Sequence, residues 1–155
     1  MKILKLVCIS ALIITVAVIG YAAEKRTAQI VSLDGTAQVK AAGGAEWVPA
    51  QVGMVLNEGD TLKMAEKSWA LINVDGKGQT ATVEVKEGSQ LLLAELMVDQ
   101  EAGTSKTLLD LAMGEVLIKA QKVHGEESKF EVKTPTSIVG VRGTTFNVKV
   151  EAVRE

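Results

Sequence analysis

Cysteine, histidine and aromatic residues are scarce in this chain of 155 residues, and each shortage excludes something. A single cysteine, Cys8, allows neither an internal disulfide nor a cysteine zinc site. The one histidine, His124, lies in a polar stretch and needs several carboxylates around it to hold zinc. Aromatic residues make up 3%, so a core has to be built from Val, Leu, Ile, Ala and Met. We therefore expect no metal and no cofactor.

Strong charge of one sign is also missing. The formal net charge is −2, and lysines and arginines are scattered between acids. A nucleic-acid-binding protein needs a clustered basic face, so we expect no nucleic-acid partner. Ser68, Ser89 and Ser137 have no nucleophile-elbow motif around them, and no pair of acids stands out from the surface pattern. The sequence therefore predicts a protein that is not an enzyme.

The N-terminal segment has the layout of an export signal. Lys2 and Lys5 precede an apolar run over residues 6–19, and small residues end the segment at Ala22. This order predicts a secretory signal peptide over residues 1–22, cleaved after Ala22. The alternative is an uncleaved anchor, since residues 6–23 are just about long enough to span a bilayer. Either form predicts a periplasmic or secreted domain that touches the membrane only through this segment.

The rest of the chain has the regularly spaced turn signals of an all-β protein. Turn signals recur at intervals of about nine to sixteen residues, and short runs rich in Val, Ile, Thr and Leu lie between them. Apolar and polar residues alternate within residues 80–86, 129–133 and 146–151, which is typical of strands with one buried face. Residues 91–97 and 108–112 favour a helix by composition, but their place among strands makes us expect strands. The turn signals are Asp34-Gly35, Gly43-Gly44, Gly59-Asp60, Asp75-Gly76, Glu87-Gly88, Gly103, Gly114, Gly125 and Gly143.

These patterns predict one domain over residues 27–151, built as a two-layer β-sandwich or a jelly-roll-like β-roll. Its most informative stretch is residues 134–146, TPTSIVGVRGTTF. Pro135 belongs at a strand start or an edge because it cannot donate a ladder hydrogen bond. Gly140 and Gly143 flank a charge, which predicts a bulge or a close approach of backbone there.

Arg142 is the charge between these glycines. A guanidinium within an apolar strand must find acceptors, because an unpaired buried charge is very unfavourable. We expect Arg142 to be buried and structural, bound to turn carbonyls or to a carboxylate such as Asp60. The alternative is a contact with an anion or a partner peptide.

Four further residues stand out earlier in the chain. Gly59 and Asp60 have the pattern of a strand-entry turn in which the aspartate caps local backbone. Core packing is the default for a tryptophan, but Trp47 follows a Gly-rich loop, which favours a rim position where it could stack on a sugar or a partner. Trp69 starts a strand, and we expect it in the core.

Residues 134–146 resemble the closing motif of the FecR family of bacterial envelope domains. Earlier pieces resemble that family in the same order, from Trp47-Val-Pro49 through Gly59-Asp60 to Ser68-Trp-Ala70, so that the resemblance runs from about residue 30 to residue 150. It assigns a structural or partner-binding role to ten residues, which are Thr134, Pro135, Gly140, Arg142, Gly143, Thr144, Phe146, Gly59, Asp60 and Trp47.

The best-known FecR proteins are membrane-spanning sensors that bind an outer-membrane iron-siderophore transporter and regulate a sigma factor. This sequence shows no sigma-binding region ahead of its apolar segment and no signalling domain after the motif. The resemblance therefore implies a stand-alone, non-catalytic module that binds an envelope protein or a glycan. Edge strands at residues 27–33 or 144–150 could recruit a protein partner by strand addition. The alternative is a membrane-anchored sensor subunit of an iron-transport-type signalling system.

Overall fold

A computed structural model describes residues 24–75, 80–99, 101–121 and 128–151, which form thirteen β-strands and no helix. The all-β prediction is confirmed, whereas the predicted signal peptide and His124 lie outside the described residues. No helix within the described part of the chain has the length and apolarity to cross a membrane. The strands are β1 (Glu24–Lys25), β2 (Ala28–Asp34), β3 (Ala37–Lys40), β4 (Val48–Pro49), β5 (Val55–Leu56), β6 (Thr61–Met64), β7 (Trp69–Val74), β8 (Ala81–Val85), β9 (Gln90–Asp99), β10 (Thr104–Ala120), β11 (Lys129–Lys133), β12 (Ile138–Val141) and β13 (Thr145–Val150).

The strands form two layers that share β10. The first layer has the order β4-β3-β6-β9-β10-β11-β12, with β1 added to β9. The second layer has the order β5-β2-β7-β8-β10-β13. Residues 104–113 of β10 pair within the first layer and residues 114–120 within the second. Neighbouring strands are antiparallel except β10 and β11, so the molecule is one antiparallel sheet curled into a roll.

The curl comes from four bends stacked along one edge of the roll. They lie between β2 and β3, between β6 and β7, between β8 and β9, and within β10. Backbone hydrogen bonds join successive bends, because Ala65 N donates to Thr36 O at 3.0 Å and Gly88 N donates to Ala65 O at 3.2 Å. Lys86 N donates to Glu115 O at 3.0 Å and adds the fourth bend. The layers are therefore continuous along this edge.

Two buried serines accept hydrogen bonds from the first and last bends, where backbone segments approach each other closely. Ser68 Oγ accepts a hydrogen bond from Thr36 N at 2.8 Å, and Ser89 Oγ accepts one from Glu115 N at 2.9 Å. The glycine beside each serine has a left-handed backbone, with φ 81 at Gly35 and φ 93 at Gly114. The turn prediction at Gly35 is thus confirmed, because the chain turns there from β2 in one layer to β3 in the other, whereas Gly114 bends a single long strand.

The core lies between the layers and is almost entirely aliphatic. The predicted alternation of β8, β11 and β13 is confirmed, with Ala81, Val83 and Val85 buried on one face. The ambiguous residues 91–97 and 108–112 lie in strands β9 and β10, because cross-strand pairing and burial outweigh their helix propensity. Burying each large side chain contributes about 1.5–3 kcal/mol. The largest fully buried side chains are Phe130, Ile30, Leu56, Leu62, Ile72, Leu91, Leu93, Leu96, Leu109, Leu111, Ile118 and Val74.

Arg26 joins the two layers at the open end of the roll, where the strands end far from the bends. Its guanidinium donates to Thr80 Oγ1 at 2.8 Å, beside β8 of the second layer. It also donates to Thr107 Oγ1 at 2.6 Å and to the Lys106 carbonyl at 3.3 Å, in the first-layer half of β10. Burial lowers the pKa of Arg26, and the nearby carboxylate of Asp75 opposes that shift.

Candidate functional site

The stretch of residues 134–146 builds one lateral end of the roll. Thr134 closes the hairpin between β11 and β12, because its amide donates to Ser137 O at 2.8 Å and its Oγ1 accepts from Ser137 N at 3.0 Å. Pro135 lies exposed in this turn rather than at a strand start. Thr134 and Pro135 therefore set the tight return that places β12 beside β11.

Strand β12 pairs with β11 in a regular antiparallel register. Phe130 lies opposite Val141, and Glu131 lies opposite Gly140, without a register shift. Of the bulge or close backbone approach predicted around Arg142, no bulge is therefore present on the Gly140 side. Gly143 differs, since its φ is 67 and it lies where the chain leaves β12 for Thr144 and β13 of the second layer.

Arg142 is exposed, which corrects the expectation of a buried guanidinium. The physical reason is strand alternation, because Val141 points into the core at 7% exposure and its neighbour then faces outward. Arg26, by contrast, is half-buried, and its guanidinium links the two layers of the roll. Phe146, which the same motif supplies, is half-buried and packs against the core from β13.

Gly59 and Asp60 form a structural turn on the first layer. Asp60 is buried, and its carboxylate accepts hydrogen bonds from Ala42 N at 2.9 Å and Asn57 N at 2.8 Å. Gly59 has φ 89, and its amide donates to Leu93 O at 2.7 Å. The aspartate thus binds backbone amides of two loops, which fits a cap better than a metal ligand.

The two tryptophans lie on the outside of the roll. Trp47 is half-buried beside the edge strand β4, with Lys40 Nζ 5.2 Å and Lys63 Nζ 5.7 Å from its ring centroid. The ring therefore already makes contacts with two cations of its own chain. Trp69 is 39% exposed, which contradicts its predicted core position. In β7 the buried positions begin at Ala70, so Trp69 falls on the outer face.

The lateral ends of the roll differ in how their edge strands are protected. At one end, β4 and β5 are two residues long, and β4 contains Pro49. At the other end, β13 pairs with β10 as its one partner among the described strands, and its Lys149 bonds to Glu151 at 2.8 Å. Short strands, proline and charge are the usual protections of an edge. The predicted edge at residues 27–33 is wrong for Ala28 and Gln29, which β5 and β7 flank on both sides.

Strand β12 is four residues long and contains no proline and no charged residue, although Arg142 follows it directly. It pairs with β11 as its one partner among the described strands. Ile138 is 64% exposed and Val139 is 38% exposed, on opposite faces of the strand. A free backbone edge flanked by apolar side chains is the arrangement that accepts an added strand.

A cleft of about 300 Å³ lies beside β12, and we call it the β12 cleft. Lys129, Glu131 and Gly140 lie on the outer face of β11 and β12, opposite to the inward Phe130 and Val141, and the exposed Arg142 follows β12 directly. Two cations and one carboxylate thus surround a glycine. The cleft is lined by Ser128, Lys129, Phe130, Glu131, Gly140, Val141 and Arg142.

Two ion pairs lie next to the β12 cleft on the outer face. Lys106 pairs with Glu95 at 2.6 Å, and Lys133 pairs with Asp110 at 3.5 Å. The bond to Glu95 raises the pKa of Lys106. Nowhere in the described residues do three His, Cys, Asp or Glu side chains come together to hold a metal ion.

The family comparison covers the part of the chain that holds the β12 cleft. The model of the family described as FecR protein matches residues 60–154, well over half of the chain. The matched part runs from β6 through both halves of β10 to the β12 cleft and β13. No curated protein and no solved structure gives a significant match.

Proposed function

Because the chain belongs to the FecR family, a non-enzymatic family of regulatory and signalling-related envelope domains, we propose that it is an exported module that binds another envelope protein. The observation that carries this proposal is the unprotected edge strand β12 with exposed Ile138 and Val139. The other edge strands among the described residues are two residues long or carry charge. An edge left open against this pattern is explained by a partner that covers it.

Strand addition supplies both the affinity and the register of such a complex. The backbone groups along β12 would exchange hydrogen bonds with water for hydrogen bonds with a partner strand. Covering Ile138 and Val139 adds apolar burial, at about 25 cal/mol per Å². A glycan is the less favoured occupant, because a sugar offers no matching backbone and Trp47 already contacts Lys40 and Lys63.

The proposal is tested with a tagged chain in its own cell, crosslinked in the envelope before extraction. Ile138→Glu places a charge on the β12 edge, and Val52→Glu places the same charge at a valine that is 59% exposed in the loop between β4 and β5. We expect an identified envelope protein to crosslink to the wild type and to Val52→Glu but not to Ile138→Glu.

Binding of that protein, once purified, is then measured with both variants. We expect Ile138→Glu to raise Kd at least tenfold and Val52→Glu to leave it unchanged. Loss of binding in Val52→Glu with full binding in Ile138→Glu would move the interface to the other lateral end and refute the assignment to β12.

A further inference from the structure

We propose that the strand that adds to β12 carries an aromatic side chain beside Gly140, and that its ring lies in the space that this glycine leaves open. This inference rests on the proposed function and names the residue type by which the partner is recognised. Three observations support it, which are a glycine that the fold does not require, a row of side chains that stops at this glycine, and a cleft lined by charges of both signs.

Neither the backbone nor close packing requires glycine at position 140. Gly114, the other glycine within a described strand, has a left-handed backbone with φ 93, and a Cβ there would collide with Ser89. Gly140 lies in a regular ladder outside the left-handed region, and a Cβ built on it meets no atom within 4 Å. Glycine within a strand is unfavourable by about 0.5–1 kcal/mol relative to alanine. It is typical of places where a ligand or another backbone approaches closely.

Gly140 ends a row of outward positions that runs across three strands. Leu108 of β10 lies opposite Glu131 of β11, and Glu131 lies opposite Gly140. Leu108 and Glu131 are both half-buried, whereas Gly140 contributes no side chain at the exposed edge. The next outward position of β12 is filled, because Ile138 lies there opposite Lys133. A strand added to β12 would therefore meet an empty position at Gly140 alone.

An aromatic ring is the side chain that fills such a position from the neighbouring strand. Aromatic residues pack over a glycine of an adjacent edge strand, because the glycine offers a bare backbone surface and leaves room for the ring. A ring placed there would cover the backbone of Gly140 and reach toward Glu131 in the same row. The β12 cleft, with about 300 Å³, has room for such a ring, whereas an alanine methyl group would leave most of it empty.

The charges of the cleft favour a neutral side chain from the partner. Lys129 and Arg142 line the cleft together with Glu131, so that both signs of charge are present. Arg142 also has an interaction of its own within the chain. A carboxylate or an ammonium group from a partner would thus meet a charge of its own sign as well as an opposite one. An uncharged ring avoids this repulsion and still buries apolar surface.

The inner side of the β12 edge fixes the residues on either side of the ring. Val139 lies opposite the buried Val132, and it is 38% exposed at the edge of the core. Because side chains of an added strand alternate between the two faces, the neighbours of the aromatic residue point inward and cover Val139. The partner segment is therefore a strand in which an aromatic residue lies between two aliphatic residues. A second copy of this chain does not offer this pattern at Phe146, which has polar neighbours and packs against its own core.

The experiment uses the purified protein and three peptides. The first has phenylalanine at its centre, valine on both sides of it, and threonine and lysine toward its ends, whereas the second and third have alanine and glutamate at the centre. Binding is measured by fluorescence anisotropy, and the position of the ring by the NMR shift of the Gly140 Hα protons. We expect the phenylalanine peptide to bind at least fivefold more tightly than the other two, because its ring buries more apolar surface. The bound ring should also move the Gly140 Hα signals upfield.

Gly140→Val tests the cleft directly, because it fills the open space with a side chain that suits a strand. We expect this variant to bind the phenylalanine peptide no better than the alanine peptide, while its melting temperature equals or exceeds that of the wild type. Thr145→Val places a valine at an exposed position of β13, on the other free edge, and serves as the matched control. It should keep the full preference for phenylalanine.

Several results would overturn the inference. They are equal binding of the phenylalanine and alanine peptides, no binding of any peptide, an unshifted Gly140 signal in the complex, and a full preference for phenylalanine in Gly140→Val. Tightest binding of the glutamate peptide would assign the cleft to an acidic side chain instead. Unfolding of both Gly140→Val and the smaller Gly140→Ala would show that the fold itself requires glycine.

The envelope partner separates this inference from the proposed function. Loss of its binding in both Ile138→Glu and Gly140→Val would support the two together. A partner that is lost in Ile138→Glu but bound in full by Gly140→Val would remove the aromatic contact and keep strand addition to β12. A partner that Ile138→Glu still binds in full would refute both.

Discussion

Adding one methyl group at Gly114 should destabilise the protein far more than adding one at Gly53. Both glycines have left-handed backbones, with φ 93 and φ 87. A Cβ at Gly114 would lie 2.2 Å from Ser89 Oγ and 2.4 Å from Ser89 Cα, whereas a Cβ at Gly53 meets nothing within 4 Å. The conformational cost of about 1–2 kcal/mol is common to both substitutions. Overpacking adds about 1–3 kcal/mol at Gly114 alone.

Gly114→Ala should therefore lose about 2–5 kcal/mol, against about 1–2 kcal/mol for Gly53→Ala. This is a large share of the roughly 5–15 kcal/mol that holds a domain folded. Urea unfolding followed by tryptophan fluorescence measures the difference as a shift in midpoint at constant slope. Adding Ser89→Gly should not restore stability, because the Ser89 Cα remains at 2.4 Å and the hydrogen bond from Glu115 is lost.

The result that would refute this reasoning is a Gly114→Ala protein as stable as Gly53→Ala. It would mean that β10 can bend between the layers without close contact to Ser89. A complete rescue by Ser89→Gly would also contradict it, since only the side chain would then have been in the way.

Three further predictions concern polar groups that hold the roll together. Arg26→Met should lower the free energy of unfolding, measured by thermal melting, by about 2–3 kcal/mol, because the buried Thr107 loses a charged hydrogen-bond donor. Arg26→Lys should not restore this stability. A melting curve like that of the wild type in either variant would contradict the link that Arg26 makes between the layers. The amide of Leu96 donates a hydrogen bond to the Glu58 carboxylate at 3.0 Å and lowers the pKa of that carboxyl. The ionised carboxylate therefore contributes to folding stability above its ordinary pKa of 4.5, and this contribution is lost as pH falls through the lowered pKa. Glu58→Gln should flatten this acid limb of a stability–pH curve, and an unchanged limb would count against it. Asp60→Asn should cost about 1–3 kcal/mol and speed amide hydrogen exchange in its two bound loops, and unchanged exchange would exclude the cap.

The fold class was predictable because burial alternates with the period of a strand wherever polar residues mark the outer face. Trp69 shows where this fails. Residues 69–72 are apolar at both phases of the alternation, and Asn73 is the one polar residue of β7 that identifies the outer face. Counting back from Asn73 by twos reaches Leu71 and Trp69, so this signal could have placed the tryptophan outside.

In β10 the burial changes phase, because the odd-numbered Leu109 and Leu111 are buried before Gly114 and the even-numbered Val116 and Ile118 are buried after it. Leu108 and Leu117 are apolar as well, so the sequence marks Gly114 as a turn signal but does not reveal this change of phase. In a flat strand the phase would have stayed constant.

The buried guanidinium was assigned to the wrong residue for a reason that the sequence does not contain. Arg26 becomes half-buried because the ends of two layers meet there, and its partners Thr80 and Thr107 lie 54 and 81 residues away. Arg142 has the apolar neighbours that suggest burial, but it faces outward from an edge strand. Burial of a single charge depends on which strands become neighbours, and local sequence specifies that weakly.

The sharing of β10 has a consequence for the order in which the protein can fold. Residues 104–120 pair with β9 and β11 in one layer and with β8 and β13 in the other. During synthesis from the N-terminus, neither layer can be completed until this stretch is available, and the Arg26 bond to Thr107 has to wait as well. A topology dominated by distant pairings of this kind forms slowly. The chain should therefore remain unfolded for most of its synthesis. Export of an unfolded polypeptide, as predicted from the N-terminal segment, requires this condition.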